Sequence, residues 1–422
     1  MCGIIVFYLR GQFGSALSSM EEKNDDTKIL ETYEKGPWPS HVTELRNTTY
    51  PLGYYARGVK EKYTPWYSGS FKVKYVFSGI LARRTRDGKA SEVHFRTYSP
   101  SGRFLSTSYM KKIADIADKY GIGLVEFGGN TGAIVINIIP EKADEAVDVI
   151  RNYLGSDVGG SGDTFRESYA CPGPALCEYA CFDTIAAMDY FRSHPEIYRY
   201  LNLQMFPYKL KMKFSGCPMD CSTSNTRSDF GFIGTWVGAP DIDQDALRSM
   251  VNSGKVDPRK LARDCPSGAM TWDGERREMR VEGDKCLKAM NCIKTAFPAI
   301  KPGKNRKVAL LGGGHAQGHY GPRLSWGYAL LDNPEEALPF IVEVISKYVE
   351  TAPRRHRMAD MIMRNGYRVV GDVVQKTLPD KPKATPSSHP RFTTGIVLTE
   401  DEREGLKEWS TMLVQKYEGR RN

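Results

Sequence analysis

The chain has 422 residues, enough for two to four domains of the usual size of about 100–200 residues. Hydrophobic residues make up 41% and charged residues 26%, which is the ordinary composition of a soluble globular protein. The formal net charge of +9 commonly indicates a nucleic-acid partner. No long Lys/Arg run or nucleic-acid motif accompanies the charge, so we expect no such partner. The charge fits a cleft that binds a polycarboxylate cofactor and a small oxyanion.

The first residues resemble the start of class II glutamine amidotransferases, in which an exposed amino-terminal cysteine becomes the nucleophile. The motif is Met1-Cys2-Gly3-Ile4-Ile5, but the downstream residues that this chemistry needs are not found, so the interpretation stays a remote one. The apolar run Ile4–Leu9 is shorter than the ~20 residues of a membrane span and has no convincing cleavage site. We expect residues 1–35 to be an extension, with translation starting at Met1 or at Met20.

A compact α+β domain is predicted over residues 36–156. Apolar and polar residues alternate in the segments that should form strands, and two segments have the helical period. The predicted strands are 71–77, Glu92–Tyr98, Ile122–Phe127 and Ala133–Ile139, and the predicted helices run from Thr107 to Tyr120 and through Ala146 to Leu154. This β-β-α-β-β-α order fits an open sheet with helices on one face.

Four cysteines carry the strongest chemical signal, in the split pattern Cys-x5-Cys and Cys-x3-Cys: Cys171, Cys177, Cys217 and Cys221. Four thiolates can hold an iron–sulfur cluster. A zinc site usually has tighter spacing in each half, and disulfides would need an export signal. A helix predicted to start at Pro174 would place Cys177 and Cys181 on one face, and we interpret Cys181 as packing. Nine cysteines without an export signal favour the reducing cytoplasm.

Three lysines precede the second cysteine pair. Lys209, Lys211 and Lys213 alternate with apolar residues between Tyr208 and Phe214. A strand would place the three ammonium groups on one face. Such a face can simply be solvated. Beside a redox centre it can also bind a dianion and donate protons.

Residues 240–304 have the pattern of an inserted ferredoxin-like domain, with helices predicted at Gln244–Val251 and Pro258–Arg263. Three cysteines, Cys265, Cys286 and Cys292, match a ferredoxin half, but Ala289 stands where another cysteine is expected. The type of the second cluster is therefore left open. Helices are predicted after the insertion at Pro334–Thr351, His356–Thr377 and Glu400–Glu418.

A strand predicted at Lys307–Leu311 runs into Gly312-Gly313-Gly314-His315. Glycines at a strand end allow backbone amides to approach an anion closely. This glycine run lacks the spacing of a dinucleotide-binding motif, so by itself it is a weak signal.

In order and spacing, these motifs resemble the alpha subunits of the dissimilatory sulfite reductases. The resemblance extends from Gly36-Pro37-Trp38-Pro39 to Trp326 and includes Arg96-Thr97-Tyr98-Ser99-Pro100, Gly159-Gly160-Ser161-Gly162 and Arg227-Ser228-Asp229-Phe230. It implies a siroheme sulfite/nitrite reductase-like α+β fold. A half-domain at 36–156 would be followed by a siroheme and iron–sulfur domain at 157–239 and 305–422, interrupted by the inserted ferredoxin-like domain at 240–304.

The resemblance also implies a ligand set. A [4Fe-4S] cluster would be held by the four cysteines of the split pattern, with Cys221 bridging it to siroheme, and a second cluster by Cys265, Cys286 and Cys292. Sulfite would be bound by Arg96, Arg166, Lys211 and Lys213. Cofactor contacts would come from Arg83, Thr131, Gly312 and Gly313. His315 stands where this family usually has a lysine.

The function implied is the six-electron reduction of sulfite to sulfide-level sulfur in a cytoplasmic α2β2 assembly with the beta subunit. A small cysteine-bearing sulfur-carrier protein would be a further partner. Two alternatives stay open: the substrate is nitrite or another small oxyanion, or the chain is a structural tetrapyrrole-binding subunit while the beta subunit catalyses. The direction of flux and the metallation of the tetrapyrrole are not fixed by the sequence.

Overall fold

The computed structural model describes residues 35, 67–68, 78–84, 90–128, 132–166, 168–201, 205–316 and 318–384, and at 67–68, 83–84 and 90–92 the main chain only. The strand predicted at 71–77, the helix predicted at Glu400–Glu418 and, apart from Lys35, the extension at 1–35 lie outside these residues.

The described residues form both strands and helices, with runs of consecutive strands and a run of helices at the end, as in an α+β protein. The strands are β1 Tyr67–Ser68, β2 Ile80–Arg84, β3 Ala90–Thr97, β4 Gly121–Phe127, β5 Ile134–Ile138, β6 Tyr169–Ala170, β7 Met212–Ser215, β8 Phe230–Trp236, β9 Asp241–Ile242, β10 Met270–Asp273, β11 Glu278–Val281, β12 Ile300–Lys301, β13 Arg306–Gly312 and β14 Trp326–Leu331. The α-helices are α1 Thr107–Tyr120, α2 Ala143–Val149, α3 Thr184–Ser193, α4 Pro195–Tyr198, α5 Ser224–Arg227, α6 Gln244–Asn252, α7 Pro258–Arg263, α8 Asn291–Ala296, α9 Leu338–Thr351, α10 Met358–Asn365 and α11 Arg368–Thr377.

The described residues form two compact units, of which the first comprises those up to 98 together with those within 106–129 and 133–161. Its sheet is antiparallel, in the order β1-β2-β3-β5-β4. Helix α1 begins at the cap Ser106, whose hydroxyl accepts a hydrogen bond from the Tyr109 amide, and it buries Ile113 and Ile116. The predicted strand and helix positions of this unit are confirmed in the described residues, because each alternating or helical pattern has one apolar face to bury.

The second unit is built on a mixed sheet in the order β14-β13-β8-β7-β6. Strands β6, β7 and β8 are parallel, while β8, β13 and β14 are antiparallel. Phe214 and Phe232 stack with ring centroids 4.9 Å apart, and Phe191 of α3 lies 5.2 Å from Phe232. This aromatic packing fixes β7, and the loop that carries the second cysteine pair of the split pattern begins where β7 ends.

Residues 241–301 form one excursion between two neighbouring strands. Strand β8 ends at Trp236 and β13 begins at Arg306, and these two residues are paired in the sheet. Between them lie the β10–β11 hairpin, the β9–β12 pair and three helices. Leu247, Ile293 and Ile300 are fully buried in a core of the insertion.

Two predicted helices differ from the structure. Gly366, with a φ of 81°, separates α10 from α11, so the helix expected at His356–Thr377 is broken. The helix expected from Pro174 is wrong, since Gly173–Ala175 is a single 3-10 turn and the next helix begins at Thr184. Within the described residues, no helix is long and apolar enough to span a bilayer.

Candidate active site

Four cysteines of the second unit are brought together around the loop that follows β7. The backbone amide of Gly216 donates to the Cys171 sulfur at 3.1 Å, which joins the first cysteine pair to the start of this loop. The Gly216 carbonyl accepts from the Cys181 amide at 2.6 Å. Cys171 and Cys217 are buried, Cys177 is half-buried and Cys221 is exposed. The loop therefore has one buried end and one open end.

A buried carboxylate holds this loop in shape. Asp220 is 3% exposed, and its side chain accepts hydrogen bonds from the Ser215 hydroxyl at 2.7 Å, the Ser224 amide at 2.7 Å and the Asn225 amide at 3.1 Å. Asp220 has a φ of 51°, a left-handed conformation that only a strong local network maintains in a residue other than glycine. The network fixes the residue just before Cys221.

The thiols of this loop have the surroundings of metal ligands. Burial raises the pKa of Cys217, the Met219 backbone amide opposes that rise by hydrogen bonding, and Cys177 and Cys221 add to it. Amide donors directed at sulfur favour the thiolate and tune iron–sulfur clusters. Several thiols within electrostatic reach of one another, supported by amides, fit a cluster.

The inserted domain brings its three cysteines around one small cavity. Cys265, Cys286 and Cys292 line it together with Ala289 and Ser267. Burial raises the pKa of Cys292 to about 12 and raises that of Cys286, and backbone amides counter both shifts. Three thiols and supporting amides fit a cluster site, and the methyl group of Ala289 offers no ligand at the position where the sequence pattern expects a thiol.

No three His, Cys, Asp or Glu side chains of the described residues are placed to hold a single metal ion. A single ion needs several ligands that meet at one point. The thiolates of a four-iron cluster each bind a different iron.

A cavity of about 270 Å³ in the second unit is lined mainly by cationic side chains. The lining residues are Lys209, Lys211, Arg227, His315, Ala316 and Arg357. Burial, together with the charges of Arg357 and Lys209, lowers the pKa of Lys211 to about 7. Because the cations repel one another, a bound anion would relieve this repulsion.

The cavity wall is fixed by a buried ion pair. The Arg357 guanidinium donates to Asp229 at 2.6 Å, and both side chains are at most 5% exposed. The same Asp229 oxygen accepts the Lys211 backbone amide at 2.9 Å. Asp360 accepts the Arg357 amide at 2.8 Å and so starts α10 at this point. One guanidinium and one lysine are thus held in place by a carboxylate that faces away from solvent.

The strand predicted to contain the three lysines is shorter in the structure than expected, and the lysines differ in their contacts. Regular pairing begins at Met212, and Lys213 is 2% exposed. Its ammonium group donates to the Ser222 carbonyl at 2.9 Å and the Thr223 hydroxyl at 2.8 Å, so it holds the cysteine loop and does not line the cavity. Burial lowers the pKa of Lys213 to about 7.

Two predicted arginines are placed separately. Arg166 belongs to the second unit, where its Nε donates to the Gly162 carbonyl at 3.0 Å and its charge is among those that lower the pKa of Lys211. Arg96 belongs to the first unit, on β3, where its amide donates to the Gly79 carbonyl and its carbonyl accepts from the Gly159 amide. The Arg83 side chain and Thr131 lie outside the described residues.

The glycines after β13 have packing reasons of their own. A Cβ on Gly312 would lie 2.4 Å from the Tyr328 ring, and one on Gly313 would lie 2.7 Å from the Trp326 ring. The Gly313 amide already donates to the Asp229 carbonyl at 3.1 Å. Their role as cofactor contacts stays a prediction.

Several residues of the site were missed by sequence reasoning. Asp220 lies between Met219 and Cys221, Asp229 directly precedes β8, and Arg227 ends the short helix α5. Arg357 lies more than a hundred residues away, in the run Arg354-Arg355-His356-Arg357. The sequence offered two signals for these residues. One is the run of basic residues that ends at Arg357, and the other is an aspartate next to a recognised motif, which occurs at Asp220 and again at Asp229. Neither signal says which distant residues will meet.

Comparisons with known proteins agree with this geometry. Residues 161–382 match the family model described as nitrite and sulphite reductase 4Fe-4S domain, and residues 86–153 match the nitrite/sulfite reductase ferredoxin-like half domain. The alpha subunit of the dissimilatory-type sulfite reductase of Nitratidesulfovibrio vulgaris is 28% identical over 425 residues, covering 90% of this chain and 95% of that protein.

The corresponding alpha subunit of Allochromatium vinosum is 28% identical over 371 residues, covering 81% of this chain and 87% of that protein. The crystal structure of dissimilatory sulfite reductase I superposes with a TM-score of 0.72 at 26% identity, covering 89% of this chain and 95% of that one. The predicted fold and the predicted resemblance to the alpha subunits are confirmed. The chain belongs to the nitrite and sulphite reductase family and is an oxidoreductase.

Proposed function

We propose that this chain is the alpha subunit of a dissimilatory sulfite reductase. It reduces sulfite by six electrons to sulfide-level sulfur at a siroheme that is coupled to a [4Fe-4S] cluster. The observation that carries this proposal is the segment from Lys211 to Cys217, which places a cation at the anion cavity and then runs directly into the cysteine loop.

The cavity supports an anionic ligand. Lys211 and Arg357 are held by Asp229, Lys209 and Arg227 complete the wall, and the repulsion among them falls when an anion enters. Each charge-assisted hydrogen bond to a sulfite oxygen contributes about 1.5–3 kcal/mol. Arg96, Arg166 and Lys213 are proposed as further sulfite-directed cations, with Lys213 acting through the loop that it holds.

The donor set also fits the cofactors. Cys171, Cys177, Cys217 and Cys221 would hold the [4Fe-4S] cluster, and Cys221 lies at the open end of the loop where a bridging thiolate would have to be. Siroheme, when bound, supplies the multi-electron redox chemistry. The cations of the chain bind the carboxylates of siroheme, and the chain orients sulfite and delivers protons from Lys211. Arg83, Thr131, Gly312 and Gly313 are proposed cofactor contacts.

The second cluster is proposed at Cys265, Cys286 and Cys292. Cys265 and Cys292 pack against the same apolar core in which Cys217 is buried, so the two cysteine groups share one rigid support. This arrangement supports electron exchange between them. Domain boundaries at 36–156, 157–239 with 305–422, and 240–304 are proposed with it.

Partners are proposed from the same resemblance. The relatives named as alpha subunits support a partnership with a beta subunit. We propose that the assembly is α2β2 and that a small cysteine-bearing sulfur-carrier protein is the acceptor. A cytoplasmic location is proposed because seven of the nine cysteines are proposed metal ligands.

The test is to purify the chain with its beta subunit and to measure iron, siroheme and sulfite-dependent oxidation of a reduced viologen dye. We expect siroheme and activity together. Lys211→Met should lower the turnover by orders of magnitude while the cofactor stays bound, and the exposed Lys255→Met serves as the matched control. Full activity in Lys211→Met would assign catalysis to the beta subunit and make this chain the structural half.

Nitrite is the second candidate substrate, because the matching family comprises both kinds of reductase and the cavity cations suit either anion. Comparing kcat/KM for sulfite and nitrite in the same preparation decides between them. A higher value for nitrite would overturn the choice of sulfite.

A further inference from the structure

Two residues that line the cation-lined cavity have a buried polar atom without a hydrogen-bond partner among the described residues: His315 at Nε2 and Arg357 at Nε. His315 is 2% exposed and lines the cavity, and its Nε2 is buried without a partner. The ring Nδ1 lies 3.2 Å from the Gly313 carbonyl. A carbonyl only accepts, so Nδ1 carries the proton, and in the neutral ring Nε2 presents a lone pair.

The backbone gives His315 little freedom to move away. Its amide donates to the Arg323 carbonyl at 3.0 Å, and the Arg323 amide donates back to the His315 carbonyl at 2.9 Å. A Cβ placed on Gly318 would lie 2.3 Å from Nε2, so the main chain passes close to the ring. The ring is clamped, and its bare nitrogen is satisfied either by accepting a hydrogen bond from a donor or, once protonated, by donating to an acceptor.

The charges around His315 come from several elements. Arg357 and Asp360 belong to the start of α10, Asp229 precedes β8, Lys209 and Lys211 precede β7, and Arg227 ends α5. Burial and the Arg357 charge lower the pKa of His315, whereas Asp229 and Asp360 act in the opposite direction. The two carboxylates are already hydrogen-bonded to Arg357. The empty cavity therefore leaves the ring neutral near pH 7.

We propose that His315 takes up a proton when an anion enters the cavity and then donates Nε2–H to an anion oxygen. The anion adds the negative charge that the neutral ring lacks, and the imidazolium adds the donor that the anion needs. Anion binding at this site is thus coupled to proton binding. The proposal depends on the proposed function only for the identity of the anion, which is either a free inorganic oxyanion or a carboxylate of the cofactor.

The measurement is proton uptake on binding inorganic sulfate, obtained by calorimetry at pH 6.5 in two buffers of different ionisation enthalpy. At this pH Lys211, with a pKa of about 7, already carries most of its charge, so the uptake reports chiefly on His315. The full chain is used with its beta subunit, once with siroheme and once produced without it. Circular dichroism and thermal melting check that each form is folded.

Three variants make the test specific. His315→Gln should lose both the proton uptake and part of the affinity. His315→Arg, whose guanidinium stays charged, should bind sulfate without the uptake and should flatten the fall in affinity with rising pH, which is limited to about tenfold per pH unit for one proton. His319→Gln is the control, because His319 is exposed and is not among the cavity-lining residues.

The outcomes separate the two anion sources. Uptake that depends on His315 in both forms assigns the cavity to a free oxyanion, and uptake only in the form without siroheme assigns it to a carboxylate of the cofactor. Uptake that is absent in both forms, or that His315→Gln and His315→Arg leave unchanged, overturns the proposal. Sulfite turnover is measured separately, so a failure of the proposed function is distinguishable from a failure of the proton coupling.

Discussion

The two cysteine groups of this chain are supported in different ways. The loop that ends at Cys221 is held by buried polar side chains, chiefly Asp220 and Lys213, which bond to its backbone. The group in the inserted domain surrounds a small cavity whose missing position is Ala289, and it rests on an apolar core that contains Ile293. The thiols range from buried to exposed in the first group and are half-buried in the second. Each group has a buried lysine that donates to a backbone carbonyl, Lys213 to Ser222 and Lys288 to Cys286. Among the described residues, only the first group also has a buried carboxylate, that of Asp220.

The difference in support predicts which substitutions each cysteine group tolerates. A loop held by oriented hydrogen bonds places its last residue with little freedom, as a ligand shared between two cofactors requires. A group held by apolar packing keeps its cysteines close without fixing every ligand position. The first group should therefore be sensitive to single polar changes, and the second to changes in its ligand count.

Replacing Cys221 tests the first group most severely. Cys221→Ser should abolish the coupling between cluster and siroheme and lower sulfite turnover by at least about 100-fold, because the change removes a proposed metal ligand itself. Electron paramagnetic resonance and iron content report the loss. Cys181→Ser, which changes a nearby thiol that we interpret as packing, is the control and should keep its iron. A fully coupled spectrum in Cys221→Ser would show that the bridge is assigned to the wrong residue.

Lys211 should make anion binding depend on pH. Its pKa of about 7 means that the charge is present below pH 7 and is lost as pH rises through 7, so sulfate affinity should fall over that range. Between about 7 and the unfolded value of 10.5, the unfolded chain binds more protons, so stability rises with pH there.

Lys211→Arg is the sharp comparison, because a guanidinium stays charged over this whole range. Sulfate titrations between pH 6 and 9 should show a shallower fall in affinity in this variant than in the unaltered chain. Equal pH profiles in the two proteins would remove Lys211 from the anion site.

Asp220 tests the polar support without touching a cysteine. Asp220→Ala should lower the free energy of unfolding by about 3 kcal/mol, since three buried donors lose a charged acceptor. Asp183→Ala is the matched control: Asp183 is an exposed cap that accepts two backbone amides, and its loss should cost about 1 kcal/mol. Denaturant midpoints measure both. Equal losses would mean that Asp220 is no more than another cap.

Ala289 tests the second group and should give the smallest effect. With three thiolates the cluster should be oxygen-labile or have three irons as isolated, and Ala289→Cys should restore a fourth ligand and shift the potential. Redox titration followed by electron paramagnetic resonance is the measurement. Ser267→Ala is a companion variant, because the Ser267 hydroxyl lies 3.7 Å from the Cys265 sulfur and is a candidate fourth ligand. A four-iron signal that Ala289→Cys leaves unchanged would contradict the three-thiolate view.

Local patterns were sufficient to predict much of this protein. Strand β3 and helix α1 follow from periodicity, because each buries one apolar face whatever its neighbours are. The cysteine spacing and its neighbouring motifs predicted the family, since ligand spacing is written along the chain. The helix predicted from Pro174 failed because the glycine and prolines around Cys171 favour a turn that hydrogen bonds to Phe214 can hold.

Other features exist only in the folded chain. The lysine alternation could not say that Lys211 lines the cavity while Lys213 bonds to Ser222, because that depends on where the cysteine loop turns back. Arg357 reaches Asp229 across 128 residues of sequence, and no local pattern encodes such a meeting. The sequence by itself determined which chemical groups are available. The tertiary structure decided their partners, because burial and pairing are set by residues distant in the chain.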